Sequence, residues 1–322
     1  MVQVFAARFE DLSPYERNCG IMLKLRIPAI AFAGYATLAG TQAPASAYGQ
    51  DRPVRIFISV DMEGIAGIGT AQMTSSSGKD YALGRELMTA EVNAVVAAIF
   101  ANGPAEILIN DSHGDMQNLL HTKLDRRVEY IQGNIKPLGM VQGLDESFDA
   151  AIFLGYHARA GTENGFIAHT GSGSVKGLWL NDVEVGEGGL NAYYAGAFDV
   201  PVILASGDST FAAQFTSIVP TGAVTTKVAV GSLVARLYHP EAVGEQLQSA
   251  TTTALGDLAR ARPLSIQEPV TVRMRFSSTT RADILQAVPG MKRVNGYTVE
   301  IQADDMVDAY QLVRLMYKYI SW

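Results

Sequence analysis

The stretch "VRIFISVDMEG", residues 54–64, decides the fold. Its first seven residues form a short run rich in Ile, Val and Phe with no regular polar alternation, the pattern of a strand buried on both faces in a parallel sheet. The run ends on two carboxylates, Asp61 and Glu63, and then Gly64. Residues i and i+2 of an extended segment face the same side, so both acids aim one way while Met62 turns into packing. Two carboxylates held close repel and raise a pKa unless a cation lies between them. A divalent metal resolves that conflict, with Gly64 letting the chain bend away from it. The plainer alternative is a solvated turn.

Outward from this stretch, short apolar runs alternate with helical patterns. "DYALGRELMTAEVNAVVAAIFANG" (80–103) places apolar residues at Leu83, Leu87, Ala94, Val95, Ala98 and Ile99, a helical rhythm that stops at Asn102-Gly103. Strands are expected at "AEILIN" (105–110), "DAAIFLGY" (149–156), "KGLWLND" (176–182) and "VPVILAS" (200–206), with a helix at "EGGLNAYYAGAF" (187–198) before the last. Strands separated by helices imply βαβ crossovers, hence an α/β fold with a mostly parallel sheet covered by helices. Beyond about residue 225 the texture changes to a long helix over 240–261, a strand at 269–276, a helix near 280–287, a hairpin across Asn295-Gly296 and a closing helix. The expected organisation is a leader over 1–47, an α/β core over 48–225 and a smaller α+β lobe over 226–322.

Polar residues gather just past the strand ends. The first strand leads to Asp61 and Glu63, the second to His113, and the third runs directly into His157. In a parallel sheet these positions share the carboxyl edge, where open α/β proteins place their ligand crevice. Two oxygen and two nitrogen donors suit zinc, and manganese less well. His113 alone could be a residue at a helix start capped by Ser112. An imidazole such as His157 ending a buried strand needs partners. His169 stands in the small-residue loop "GFIAHTGSGS" (165–174), which either swings over the rim or is a mobile surface loop. Glu187 opens a helix and on sequence grounds reads first as an ordinary first-turn acid. His121 falls on a helical pattern at the surface or in packing, and His239, before Pro240, reads as a helix-entry residue.

The chain has 322 residues, 48% of them hydrophobic, and a formal charge of −7. That charge, with no dense Lys/Arg stretch, excludes nucleic acid as a main partner. Cys19 is the one cysteine, so any metal rests on Asp, Glu and His. From Met22 the chain reads "MLKLRIPAIAFAGYATLAGTQAPASA", a basic start, an apolar stretch and Ala45-Ser46-Ala47, the three-part layout of a secretory signal peptide. Met22 is then the expected start. The alternative is an anchoring N-terminal helix, but the apolar part is short for a bilayer span. An exported protein, periplasmic or extracellular and without a stable membrane span when mature, is the expectation.

"SVDMEG", "NDSH", "GYHA", the His of "AHT" and "VGEGGLNAY" occur in the order and approximate spacing of the zinc-dependent D-aminopeptidases of the DppA family, which the chain resembles from about residue 54 onward. "KPLGMVQGLD" and "DVPVILASGD" extend the likeness. The resemblance implies a metal-dependent aminopeptidase acting on short peptides with N-terminal D-amino acids, with two zinc ions per subunit. Carried over by position, Asp61 would bridge the ions, Glu63 and His113 would complete one, and His157 and Glu187 the other. His169 would be the catalytic histidine. A homo-oligomeric ring is also implied. Gly188, where the family more often has a larger residue, and a loop between His157 and His169 longer by one residue bear on pocket shape. The alternatives are a metal-dependent phosphoesterase, against which no Arg/Lys cluster flanks the ligands, and an exported binding protein without catalysis.

Overall fold

The structure is a computed structural model and describes residues 52–319. Cys19, the signal-peptide pattern and the expected start at Met22 lie outside the described residues. The apolar run opens the fold as β1 (Val54–Val60), followed by α1 (Tyr81–Ala101), β2 (Ala105–Asp111), β3 (Glu129–Ile131) and β4 (Ala150–Tyr156). Next come β5 (Val175–Leu180), β6 (Val183–Glu184), α2 (Glu187–Gly196), β7 (Val202–Asp208), α3 (Ser209–Thr216), β8 (Gly222–Gly231) and β9 (Val234–Leu237). The chain continues through α4 (Pro240–Gly256), β10 (Val270–Phe276), α5 (Thr279–Leu285), β11 (Lys292–Asn295), β12 (Thr298–Ala303) and α6 (Met306–Arg314).

Seven strands form one sheet in the order β3-β2-β1-β4-β7-β8-β9, and five form a second in the order β11-β12-β10-β5-β6. In the first, every pairing is parallel except that of β8 with β9. The α/β expectation therefore holds, with one correction. "KGLWLND" supplies β5, which pairs antiparallel with β10 and β6 in the second sheet. No helix separates β4 from β5, so the crossover that a parallel neighbour requires is missing. The boundary expected near residue 225 falls inside β8, and the second sheet draws β5 and β6 from before it.

Alternation along β1 explains the core. Ile56, Ile58 and Val60 face α1 and α4, packing with Val92, Val95, Val243 and Leu247. Phe57 faces the other way, joining Phe153 with Leu190 and Tyr194 of α2 and Leu178, Val272 and Met274 of the second sheet. Each such side chain fully removed from water contributes about 1.5–3 kcal/mol. In α1 the expected Val95, Ala98 and Ile99 are inside, joined by Gly84, Met88 and Val92, but Leu83 is 54% exposed. The reason is a close approach. A Cβ on Gly84 would lie 2.2 Å from the Met73 carbonyl, so the loop after β1 covers that face of the helix.

Asn102 ends α1 as expected, and Asn295 closes the β11–β12 hairpin. His239 is the N-cap of α4, accepting from the Glu241 N–H through Nδ1. His121 is exposed in a turn, not on a helix. No helix among the described residues is long and apolar enough to cross a membrane.

Candidate metal centre

The parallel register sets the rim. Val60 pairs with Asp111 on one side and Leu154 on the other, so Asp61, His113 and His157 leave the sheet at neighbouring positions. Met62 turns into the core and is fully buried, leaving Asp61 and Glu63 to the crevice. Gly64 serves a different purpose from the one expected. A Cβ there would lie 1.9 Å from the Tyr156 carbonyl, and Gly64 N–H donates to Gly155 O. Gly155 has φ +69° and leaves no room for a Cβ against the Asp61 carbonyl. Two glycines thus let the acid loop lie directly on the end of β4, beside His157.

Around that junction six side chains converge. His113 Nδ1 lies 2.9 Å from Glu63 Oε2 and 3.2 Å from Asp61 Oδ1. His157 Nε2 lies 3.3 Å from Asp61 Oδ2 and 3.2 Å from Glu187 Oε2. Glu187, the first residue of α2, approaches from the side of the second sheet, and its Oε1 stands 3.7 Å from His169 Nε2. The His157 and His169 rings stack at 4.1 Å. Two sets, Asp61 with Glu63 and His157, and His157 with His169 and Glu187, place one ligand atom per residue within 4.8 Å of each other.

The outer ring nitrogens fix the tautomers. His113 Nε2 donates to Thr74 O, His157 Nδ1 to Ala158 O and His169 Nδ1 to Ile167 O. In the neutral rings the remaining nitrogen of each is a lone pair turned toward the acids, the arrangement by which backbone carbonyls orient metal-binding histidines. The reading of His113 as a capped helix start does not hold, since Ser112 joins a buried hydroxyl network with Ser59 and Asn110 instead. That network continues from Ser59 to Tyr156 and Asn191 and pins α2, hence Glu187, to the rim.

Electrostatics test whether a cation fits. Burial, reinforced by Glu63, raises the Asp61 carboxyl. Burial also disfavours charge on Glu63, yet His113 overrides it and holds Glu63 well below the usual carboxylate range. Glu187 sits at about 2, burial being outweighed by His157 and His169. His113 and His157 are raised well above the ordinary imidazole value, because the acids overcome the cost of burying them. Protons on imidazole are therefore standing in for positive charge that the carboxylates demand. Asp61 Oδ2 and His157 Nε2 face each other, buried, and neither has a hydrogen-bond partner. A buried unsatisfied polar atom costs about 1–3 kcal/mol. Oxygen and imidazole donors in this arrangement fit zinc.

The family model described as D-aminopeptidase matches residues 54–315. The chain belongs to the D-aminopeptidase family. It is 38% identical over 267 residues to the D-aminopeptidase of Bacillus subtilis (strain 168), covering 82% of this chain and 96% of that protein. Among solved structures it is similar to the zinc-dependent D-aminopeptidase DppA from Bacillus subtilis, described as a self-compartmentalizing protease. The TM-score is 0.79 at 37% identity, over 82% of this chain and 96% of the other. Family membership carries the expected class of activity, a metal-dependent aminopeptidase, and gives no support to the phosphoesterase or binding-protein alternatives.

Sequence reading missed several residues that shape the centre. Thr74 and Ala158 act through backbone carbonyls and leave no signature. Lys227 does leave one, a single charge inside the apolar run "VTTKVAV" (224–230). Gly188 lies against Phe211, whose ring would be 2.7 Å from an added Cβ. A larger residue there would displace that ring, which lines a cavity of about 40 Å³ beside His157.

Proposed function

We propose that this D-aminopeptidase family member is an exported zinc enzyme that removes D-amino acids from the N-termini of short peptides, using two zinc ions per subunit. The observation that carries the reading is the pair of buried, unpartnered atoms, Asp61 Oδ2 and His157 Nε2, at the centre of converging imidazole lone pairs and carboxylates. Asp61 presents Oδ1 to His113 and Oδ2 to His157, as a bridging carboxylate would. Glu63 and His113 would complete one ion, His157 and Glu187 the other. Zinc held there supplies Lewis acidity toward the scissile carbonyl and makes a water nucleophile available near neutral pH.

His169 has a different task in this reading. Its side chain is 30% exposed where that of His157 is 1% exposed, so it can meet a substrate at the rim. With Nδ1 tied to the Ile167 carbonyl, Nε2 is the nitrogen that exchanges a proton. Taking a proton from the attacking water onto that nitrogen's lone pair and passing it to the departing amide nitrogen is general base followed by general acid catalysis.

The preference for a D residue follows the activity named for the relatives. The self-compartmentalizing description of the solved neighbour supports assembly into a homo-oligomer, which light scattering on purified protein tests. Export rests on the signal-like residues 22–47, and N-terminal sequencing of the mature protein tests it. For the reaction itself, metal content and hydrolysis of D-Ala-D-Ala against L-Ala-L-Ala are measured on purified protein. Zinc-dependent cleavage favouring the D-dipeptide is expected, and full activity after metal removal sinks the proposal.

A further inference from the structure

Lys227 is fully buried in β8, where the acids Glu91, Asp208 and Glu63 favour its charge against the cost of burial. Its Nζ donates to Glu63 O at 2.6 Å and to Ile68 O at 2.7 Å, the two ends of the loop that follows the metal-binding acids. The same ammonium lies 5.0 Å over the ring of Phe166. The next residue, Ile167, holds His169 in place through its carbonyl and has a left-handed φ of +49°. Ile167 N–H donates in turn to Ser232 O, just beyond the end of β8. The residue before Lys227, Thr226, donates its hydroxyl to Gly64 O. One strand therefore grips the acid loop at Glu63, Gly64 and Ile68 and braces the histidine loop at Phe166 and Ile167.

A buried ammonium is a poor way to gain stability. Replacing buried charges by apolar residues of similar volume is often neutral or stabilising, provided that no partner is stranded. The hydrogen-bond acceptors of Lys227 are backbone carbonyls, and the buried acids Glu91, Asp208 and Glu63 favour its charge, so replacing it costs stability as well as geometry. The geometric part comes from an ammonium satisfying two carbonyls and a ring face at once.

We infer that Thr226 and Lys227 are positioning residues of the metal centre, setting the acid loop and the His169 loop against each other. The inference rests on the zinc reading above and adds residues outside the ligand set. Partners that orient ligands typically cost on the order of 10–100-fold in metal affinity or activity when removed.

The test compares wild type, Lys227→Met and Thr226→Val, each stripped of metal and titrated with zinc against a competing chelator. Each is also loaded with cobalt for its visible spectrum. Lys227→Met should bind zinc on the order of 10–100-fold more weakly, with an altered cobalt spectrum, and Thr226→Val should show a smaller shift in the same direction. A residue that merely supports the fold lowers the thermal midpoint of metal-free and loaded protein alike. A positioning residue shrinks the gain that zinc gives. Should Lys227→Met fail to fold, Thr226→Val decides alone, since it removes one hydroxyl at nearly constant volume. Wild-type affinity, spectrum and zinc-induced gain in the folded variants overturn the inference. A wild type that takes up no zinc overturns the functional reading instead.

Discussion

Asp61 Oδ2 and His157 Nε2 lie 3.3 Å apart in the interior, and neither forms a hydrogen bond. Asp61→Asn removes a carboxylate that helps to hold the protons on His113 and His157. The variant should lose bound zinc and activity, and its metal-free thermal midpoint should begin to fall at a lower pH than that of metal-free wild type. Elemental analysis and calorimetry in the presence of chelator check both halves. A variant that keeps full zinc occupancy means that Asp61 is not a ligand.

His169→Ala separates a proton carrier from a ligand. Zinc content should stay at the wild-type level while turnover of a D-dipeptide falls about 10²–10⁴-fold. Loss of metal together with activity would make His169 a ligand, a possibility its closeness to His157 and Glu187 keeps within reach of the experiment.

Metal-free protein should respond to pH at both ends. His113 and His157 have folded values raised above their ordinary 6.5. Their stabilisation is fully present below that value and is lost as pH rises through the folded values. Glu63 and Glu187 are lowered from 4.5, so their contribution is present above it and fades as pH falls, for Glu187 toward about 2. Metal-free protein is thus expected to be most stable at mildly acidic pH. Zinc replaces the imidazole protons, so the difference in midpoint between loaded and stripped protein should widen from pH 6 to about 9. A constant difference across that range contradicts the assignment.

Glu91, buried on α1, accepts from Ala66 N–H and the Ser206 hydroxyl. Burial pushes its carboxyl from 4.5 up to about 7. A carboxyl raised in the folded state binds more protons folded than unfolded, so stability declines as pH climbs from 4.5 to 7, by on the order of 3 kcal/mol in total. Glu91→Gln should flatten that stretch of the stability profile. Urea titrations of loaded protein at pH 5 and 7 measure it, and an unchanged slope sets the idea aside.

Much of this protein was legible without coordinates, because periodicity is local. Continuous apolar runs marked β1, β2, β4 and β7, and helical rhythm marked α1, α4 and α6. Parallel strands then put their carboxyl ends on one rim, so Asp61, Glu63, His113 and His157 became neighbours from topology alone. Glu187 was different: as a first-turn acid it has an unremarkable local pattern, and only the resemblance to a family singled it out, while His169 was marked by its small-residue loop beside the rim and took its catalytic role from that resemblance.

The tertiary structure decided what local pattern does not encode. β5 carries the same apolar signal as a parallel strand, but β10, far along the chain, pairs with it antiparallel. Gly64 is glycine because the end of β4 passes within contact of it, not because the chain must turn away. The tautomers of the histidines depend on carbonyls at Thr74, Ala158 and Ile167. Lys227 reaches Glu63 across 164 residues of sequence. The sequence alone thus determined which residues could bind a metal and which edge they share. Their lone-pair directions, and the buried charge bracing them, came only from packing that joins distant segments.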